Sequence, residues 1–265
     1  MTISHFKKIS FSKYHGSGND FILIDARDNK NNFLEKDIKF LCHRHIGIGA
    51  DGIVFLLKSK KADFRMRIFN SDGKEADMCG NGFFCLINFL KDLNEKRKNY
   101  WIETKKEILY GGWLKDRIFL NFQNIKIIKE VVIDQIPFTW IRAGVDHVVC
   151  FVKKIHKEQV LQIGKKISHH QLFSKGVNVN VASLRKDGAI DLLVYEKGVE
   201  DVTFSCGTGA IATAIASAKR LKKTSPITIC FPLGQMQVEF SLKKETANDV
   251  KLIGSSSYIF SGKIF

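Results

Sequence analysis

Two cysteines in this chain are each followed by a glycine, one further residue and a second glycine, and each tetrad opens onto an apolar run. The first is Cys79-Gly80-Asn81-Gly82, continuing into Phe83, Phe84, Cys85, Leu86 and Ile87; the second is Cys206-Gly207-Thr208-Gly209, continuing into alanines and isoleucines. A thiol at a helix start has a specific use. The amides of a first helical turn lack intrahelical acceptors and carry partial positive charge, and glycine lets a ligand approach them closely. A carboxylate can be held there without lysine or arginine. The same positive end is expected to lower a cysteine pKa from its free value of about 8.5. Each tetrad therefore reads as an activated thiol beside a carboxylate cradle.

Two such thiols, one on each side of a bound carbon, are the arrangement for inverting a stereocentre. One cysteine, as thiolate, removes the α-proton while the other, as thiol, protonates the opposite face. The carbanion between them is stabilised by spreading its charge onto the adjacent carboxylate, whose oxygens lie against the helix starts. Neither a metal nor pyridoxal need take part, and thiols suit the task because their pKa can be tuned near ambient pH.

The elements that must position these thiols occur twice. The two cysteines are 127 positions apart (79 to 206) in a chain of 265 residues, and the same offset carries their neighbours. "FRMRIFN" (64 to 70) falls on "DLLVYEK" (191 to 197), and "GNDFILID" (18 to 25) on "VDHVVCFV" (145 to 152); all four read as strands. Amphipathic helical patterns cover 33 to 45 and 156 to 170. Residues 83 to 93 and 210 to 221 are apolar on nearly every side, as in a helix buried all round. Three strand-like runs follow each of these two helices. The expected fold is α+β: two pseudo-symmetric domains, each a curled, mostly antiparallel, barrel-like sheet around a central apolar helix. The expected domains are 1–125, carrying Cys79, and 126–255, carrying Cys206. The passage between repeats falls near 123 to 136, and the closing segment, about 256–265, is expected to return to the first half.

Bulk composition narrows the function classes. No signal peptide is read at the N-terminus, and no apolar run is long enough to cross a bilayer. The six cysteines are scattered without metal-type spacing, as in a reduced cytoplasmic protein with free thiols. A net charge of +15 raises the question of nucleic acid, but the lysines are dispersed rather than gathered into one stripe. A solvated basic surface is expected, with a basic nucleic-acid-binding protein kept as the remote alternative.

At the level of whole motifs the sequence resembles the diaminopimelate epimerase family. The resemblance rests on "HGSGNDFILID" (15 to 25), "CHRHIGIGADGI" (42 to 53), "RIFNSDGKEADMCGNG" (67 to 82), "GVNVNV" (176 to 181) and "YEKGVEDVTFSCGTGA" (195 to 210). It implies a cofactor-independent isomerase interconverting LL- and meso-diaminopimelate in lysine and peptidoglycan precursor synthesis. It also implies no metal, a cytoplasmic location, a small amino-acid substrate and a homodimer. Cys79 and Cys206 fall on the acid/base positions, the first usually written as donor and the second as acceptor. Asn19, Asn70, Gly80, Asn81, Asn178, Glu196, Lys197, Gly207 and Thr208 fall on substrate-contacting positions. His147 and Glu196 match residues that tune the thiols.

This chain departs from the family pattern at several of these places. Lys197 stands where arginine is usual, exchanging a planar bidentate grip for a point charge on a flexible stem. Val145 and Asp146 replace the asparagine and proline of a Gly-Asn-Pro-His turn, and Phe83 and Phe84 replace Ala-Arg. These changes leave open an amino-acid racemase of the same two-thiol type with relaxed specificity. Other signals are set aside. "GIGADG" (47 to 52) has dinucleotide-type spacing, but a helix precedes it and a strand follows, the reverse of that fingerprint. "CHRH" (42 to 45) and "HH" (169 to 170) lack a partner cluster at zinc-like spacing. Cys42, Cys85, Cys150 and Cys230 sit in apolar runs and are expected to be inert core thiols.

Overall fold

The computed structural model describes residues 9–28 and 33–264. They form two compact units, one made of the described residues up to Leu120 together with those from Gly254 onward, the other of Asn121–Ile253.

In unit 1 the strands are β1 (Ile9–Gly16), β2 (Asn19–Asp25), β3 (Gly52–Leu57), β4 (Phe64–Asn70), β5 (Glu75–Ala76), β6 (Asn99–Glu103), β7 (Ile108–Leu114), β8 (Arg117–Asn121) and β18 (Ser257–Ile264), with helices α1 (Glu35–Cys42) and α2 (Gly80–Asp92). The sheet runs β18, β1, β2, β3, β4, β6, β7, β8. Only β2–β3 and β4–β6 are parallel, and each of these pairs is joined through a helix, as parallel neighbours require. The short β5 pairs with β4 at Ile68 and Phe69, while β6 pairs with it at Phe64 and Arg65.

Unit 2 repeats this plan with β9 (Ile125–Ile133), β10 (Ile136–Ala143), β11 (Val145–Phe151), β12 (Asn178–Leu184), β13 (Ile190–Glu196), β14 (Asp201–Thr203), β15 (Ile227–Phe231), β16 (Gly234–Lys243) and β17 (Thr246–Gly254), and with α3 (Lys157–Ser168) and α4 (Gly207–Leu221). Its sheet closes: β9, β10, β11, β12, β13, β15, β16 and β17 pair in sequence, and β17 returns to β9 at Thr246–Lys126 and Ala247–Ile125. A closed ring leaves no edge strand to manage. The segment 123–136, which reads as a passage between repeats, supplies β9 to that ring. Its pattern hides the strand because Lys126, Ile128, Lys129 and Glu130 face solvent while Ile125 and Ile127 are buried.

Helices α2 and α4 are the apolar ones, and they lie inside. α4 packs against β10, β11, β12, β13, β15 and β16, and α2 against β1, β2, β3 and β18. Both begin three residues earlier than the apolar runs alone suggest, so each glycine tetrad forms the first turn. The amphipathic α1 and α3 pack on the sheets' other faces. α1 contributes Ile38, Leu41 and Cys42 to a core with β2 and β3 residues, and α3 contributes Val160 and Ile167 to one with β11, β12 and β13 residues. Phe83 and Phe84 have no exposed surface, and burying such a ring is worth roughly 1.5–3 kcal/mol. Room for them comes from glycine: a Cβ on Gly111 would stand 2.7 Å from the Phe83 ring, and one on Gly254 2.4 Å from that of Phe84. Ser256 Oγ donates to the Phe84 carbonyl and Asn88 Nδ2 to the Ser256 carbonyl, holding the chain's closing segment against α2.

Candidate active site

Cys79 is the N-cap of α2, with extended backbone, and its Sγ accepts from the Gly82 amide at 3.5 Å. It owes its neighbours to a hairpin. Gly16 and Asn19 face each other across the two-residue turn Ser17-Gly18, both at positive φ, which closes β1 onto β2 and brings Asn19 beside the helix start. Asn19 Oδ1 lies 3.7 Å from Cys79 Sγ and 3.4 Å from Asn81 Nδ2. Its Nδ2 donates to Asp51 Oδ2 at 2.9 Å, so the amide is held with its oxygen toward the sulfur. Behind it, Asp20 bonds Arg44 and Lys13. Burial opposes ionisation of Asp20, but those two cations outweigh it and hold its pKa at about 2.

Cys206 is the N-cap of α4 in the same backbone conformation, without a geometric hydrogen bond to the first turn. Its Sγ is 3.5 Å from Thr208 Oγ1. Thr208 Oγ1 is 3.0 Å from His147 Nε2, and His147 Nδ1 is 3.1 Å from Asn180 Oδ1. Burial pushes the Cys206 thiol well above its ordinary value, and the negative charge of Glu196 adds to this; the nearby Gly209 N–H pulls the other way and is outweighed. The expected lowering by the helix end therefore does not hold at Cys206, because desolvation of a thiolate exceeds the benefit of one oriented dipole. Burial likewise raises Glu196, against hydrogen bonds from Thr203, at 2.7 Å, and from Cys206. The pair is suited to holding one negative charge rather than two.

The helix ends differ in a telling way. α1 carries Glu35 and Asp37 in its first turn and α3 carries Glu158, whereas the first turns of α2 and α4 hold no acid. The two exterior helices thus neutralise their own positive ends, and the two cysteine-capped ones leave theirs to be met by an anion.

The sequence-derived site residues divide between the units. Asn19, Asn70, Cys79, Gly80 and Asn81 belong to unit 1, with Asn81 buried and Asn70 exposed at the end of β4. His147, Asn178, Glu196, Lys197, Cys206, Gly207 and Thr208 belong to unit 2, where His147, Thr208 and Glu196 gather on Cys206. Asn178 Oδ1 accepts from the Lys197 amide at 3.1 Å. The Lys197 ammonium is turned onto the Lys175 and Gly176 carbonyls, at 3.0 and 3.3 Å, beside an open groove of about 610 Å³ that His169, His170, Phe173 and Glu200 also line. Asp146 is gripped by Arg142 at 2.7 and 3.0 Å, and Val145 is exposed. Phe83 and Phe84 are core rings, so they bear on packing rather than on substrate. Cys230 is partly exposed beside Arg185 instead of being a core thiol. Asp51 and Asn180 carry no role in the sequence reading, although both lie inside quoted motifs. For Asn180 the available signal is its alternation with Val179 and Val181 in β12, where every residue but the last is buried.

The diaminopimelate epimerase family model matches the chain over residues 11–129 and 139–258. The chain belongs to the diaminopimelate epimerase family. It is 34% identical over 278 residues to the diaminopimelate epimerase of Synechocystis sp., covering 96% of this chain and 98% of that one. With the diaminopimelate epimerase of Flavobacterium psychrophilum the identity is 36% over 259 residues, covering 95% and 98%. Among solved structures, a Bacillus anthracis phenazine biosynthesis protein of the PhzF family superposes with a TM-score of 0.75 at 16% identity, over 98% of this chain and 100% of that one. A hydroxyproline epimerase from Agrobacterium vitis gives 0.70 at 14%, over 98% and 93%. Those two likenesses concern the fold. Like its family, the chain is an isomerase. Among the described residues no helix is long and apolar enough to cross a membrane.

Proposed function

We propose that this diaminopimelate epimerase family member interconverts LL- and meso-diaminopimelate by proton transfer between two cysteines and the substrate α-carbon. One sulfur, as thiolate, takes the α-proton and becomes a thiol. The C–H electron pair passes into the carboxylate, stabilised by first-turn amides of α2 and α4. The other cysteine gives its S–H proton to the opposite face and is left as thiolate, so one proton has been exchanged for another and the configuration is inverted. Roles reverse with the direction of reaction.

The observation that carries this reading is the repetition of one unusual device. In pseudo-equivalent places, two buried helices are capped by cysteine and lack first-turn acids. Exchange of the substrate α-hydrogen in heavy water tests it. Cys79→Ser and Cys206→Ser are each expected to lower exchange by about 10²–10⁴-fold, as removal of an acid/base group does. Absence of exchange in the intact protein, together with steeply salt-dependent DNA binding, would instead favour the remote basic nucleic-acid-binding reading.

A second reading, a racemase of relaxed specificity, draws on Lys197. Its ammonium already serves two backbone carbonyls and offers a distal carboxylate no bidentate fork. Turnover of L-glutamate beside LL-diaminopimelate decides it, and no detectable glutamate racemisation rejects it. A cytoplasmic location, a place in lysine and peptidoglycan precursor synthesis, and a homodimer belong to the same proposal. Sedimentation of the purified chain tests the last.

A further inference from the structure

Within unit 2, a line of hydrogen bonds ends on Cys206, and its chemistry allows one direction. Asn180 has no exposed surface, and its Nδ2 lies 2.9 Å from the Gly209 carbonyl and 3.1 Å from Thr213 Oγ1. A carbonyl can only accept, so the amide nitrogen belongs at that end and Oδ1 at the other. Oδ1, 3.1 Å from His147 Nδ1, can also only accept, which places the ring proton on Nδ1. His147 is fully buried, and burial lowers its pKa to about 4, against the Asn180 bond and the charge of Asp146, with Lys197 adding to the lowering. At neutral pH the ring therefore carries one proton and Nε2 is bare. The Thr208 hydroxyl, 3.0 Å away, donates its single hydrogen to Nε2. Only lone pairs of Thr208 then remain for Cys206 Sγ at 3.5 Å. A hydroxyl beside sulfur ordinarily favours thiolate by donating to it, but here that hydrogen is committed to the imidazole.

Burial and Glu196 already disfavour Cys206 as a thiolate. We propose that Asn180 is a positioning residue: through the tautomer of His147 and the hydroxyl of Thr208, it biases resting Cys206 further toward the protonated, proton-donating thiol of the pair. The proton-donating role of Cys206 rests on the epimerase reading, whereas the tautomer of His147 and the protonation of Cys206 stand without it. The device is reversible within a catalytic cycle. After Cys206 has given up its proton, rotation of one hydroxyl lets Thr208 donate to the new thiolate, at the cost of its bond to Nε2. The bias is therefore about fivefold, the worth of one ordinary hydrogen bond.

Two readouts that need no substrate test the proposal. In protein labelled with ¹⁵N-histidine, with His147→Gln used to assign the resonances, His147 is expected to be protonated at Nδ1 and bare at Nε2. Asn180→Ala removes the acceptor for Nδ1–H; the proton should move to Nε2, Thr208 should turn its hydrogen to sulfur, and alkylation of Cys206 by iodoacetamide at pH 7.5, followed by peptide mass spectrometry, should quicken by about fivefold. Thr213→Val loses one partner of Asn180 but keeps the Gly209 carbonyl, and should change neither readout. Protonation of Nε2 in the unaltered protein overturns the proposal, and that measurement stands even where Asn180→Ala does not fold. So does a switched tautomer with unchanged alkylation, or equal quickening in Thr213→Val, which a purely packing role would produce. Loss of epimerase turnover affects neither readout, so failure of the proposed activity is distinguishable from failure of this inference.

Discussion

A histidine with no exposed surface and a pKa near 4 makes the fold acid-sensitive. Unfolded, the same ring titrates near 6.5, so between about 6.5 and 4 the unfolded chain binds the proton that the folded chain refuses. Stability from the neutral, buried ring is complete above the unfolded value and is lost as pH falls through that window, a change on the order of 3 kcal/mol. Urea midpoints at pH 7.5 and 4.5 should show the drop. His147→Gln should flatten it while lowering stability at neutral pH, and a parallel drop in that variant would assign the loss elsewhere. Asp20 acts in a separate window: its lowered pKa contributes stability above the unfolded value and loses it only as pH falls from about 4 toward 2.

At the scale of elements, the fit of α2 is the most exacting. A Cβ on Gly254 would stand 2.4 Å from the Phe84 ring, in a place with no free space. Gly254→Ala is expected to cost about 1–3 kcal/mol by overpacking, and Phe84→Ala about 3–5 kcal/mol through the cavity left behind. The pair should be non-additive, because the smaller side chain admits the added methyl. Denaturant unfolding of the two single variants and the double variant measures the coupling, and strict additivity would show that the two sites are independent. Phe84 also shows where reading residues one at a time fails. Beside the first cysteine–glycine tetrad it suggests an altered substrate pocket, but glycines far along the chain, at 111 and 254, make it and Phe83 part of the core.

At the scale of the whole molecule, the six cysteines fall into two classes, buried and partly exposed. Cys42 and Cys150 are pushed up to about 12 by burial, and Cys85 is raised as well. Native alkylation should spare these three and reach them only on unfolding, while Cys79, Cys206 and Cys230 keep partial exposure. Modification of Cys42, Cys85 or Cys150 in the folded protein, read by peptide mass spectrometry, would contradict the packing described.

The duplicated plan, the two buried helices, most strands that follow them, and the cysteine at each helix start were all readable from sequence. They rest on short-range rules: alternation for strands, continuous apolarity for an enclosed helix, and the chemistry of a helix end. The closure of unit 2 was not readable, because β9 meets β17 across more than a hundred residues and its own alternation is broken by charge. The protonation bias of Cys206 was not readable either. His147 meets Asn180 and Thr208 across 33 and 61 residues, and only the register of β11 against β12 and the packing of α4 bring them together. A helix end is a local property, so the sequence alone could announce an activated thiol. Desolvation and hydrogen-bond direction depend on everything that surrounds the sulfur, so the tertiary structure decided which way that thiol leans.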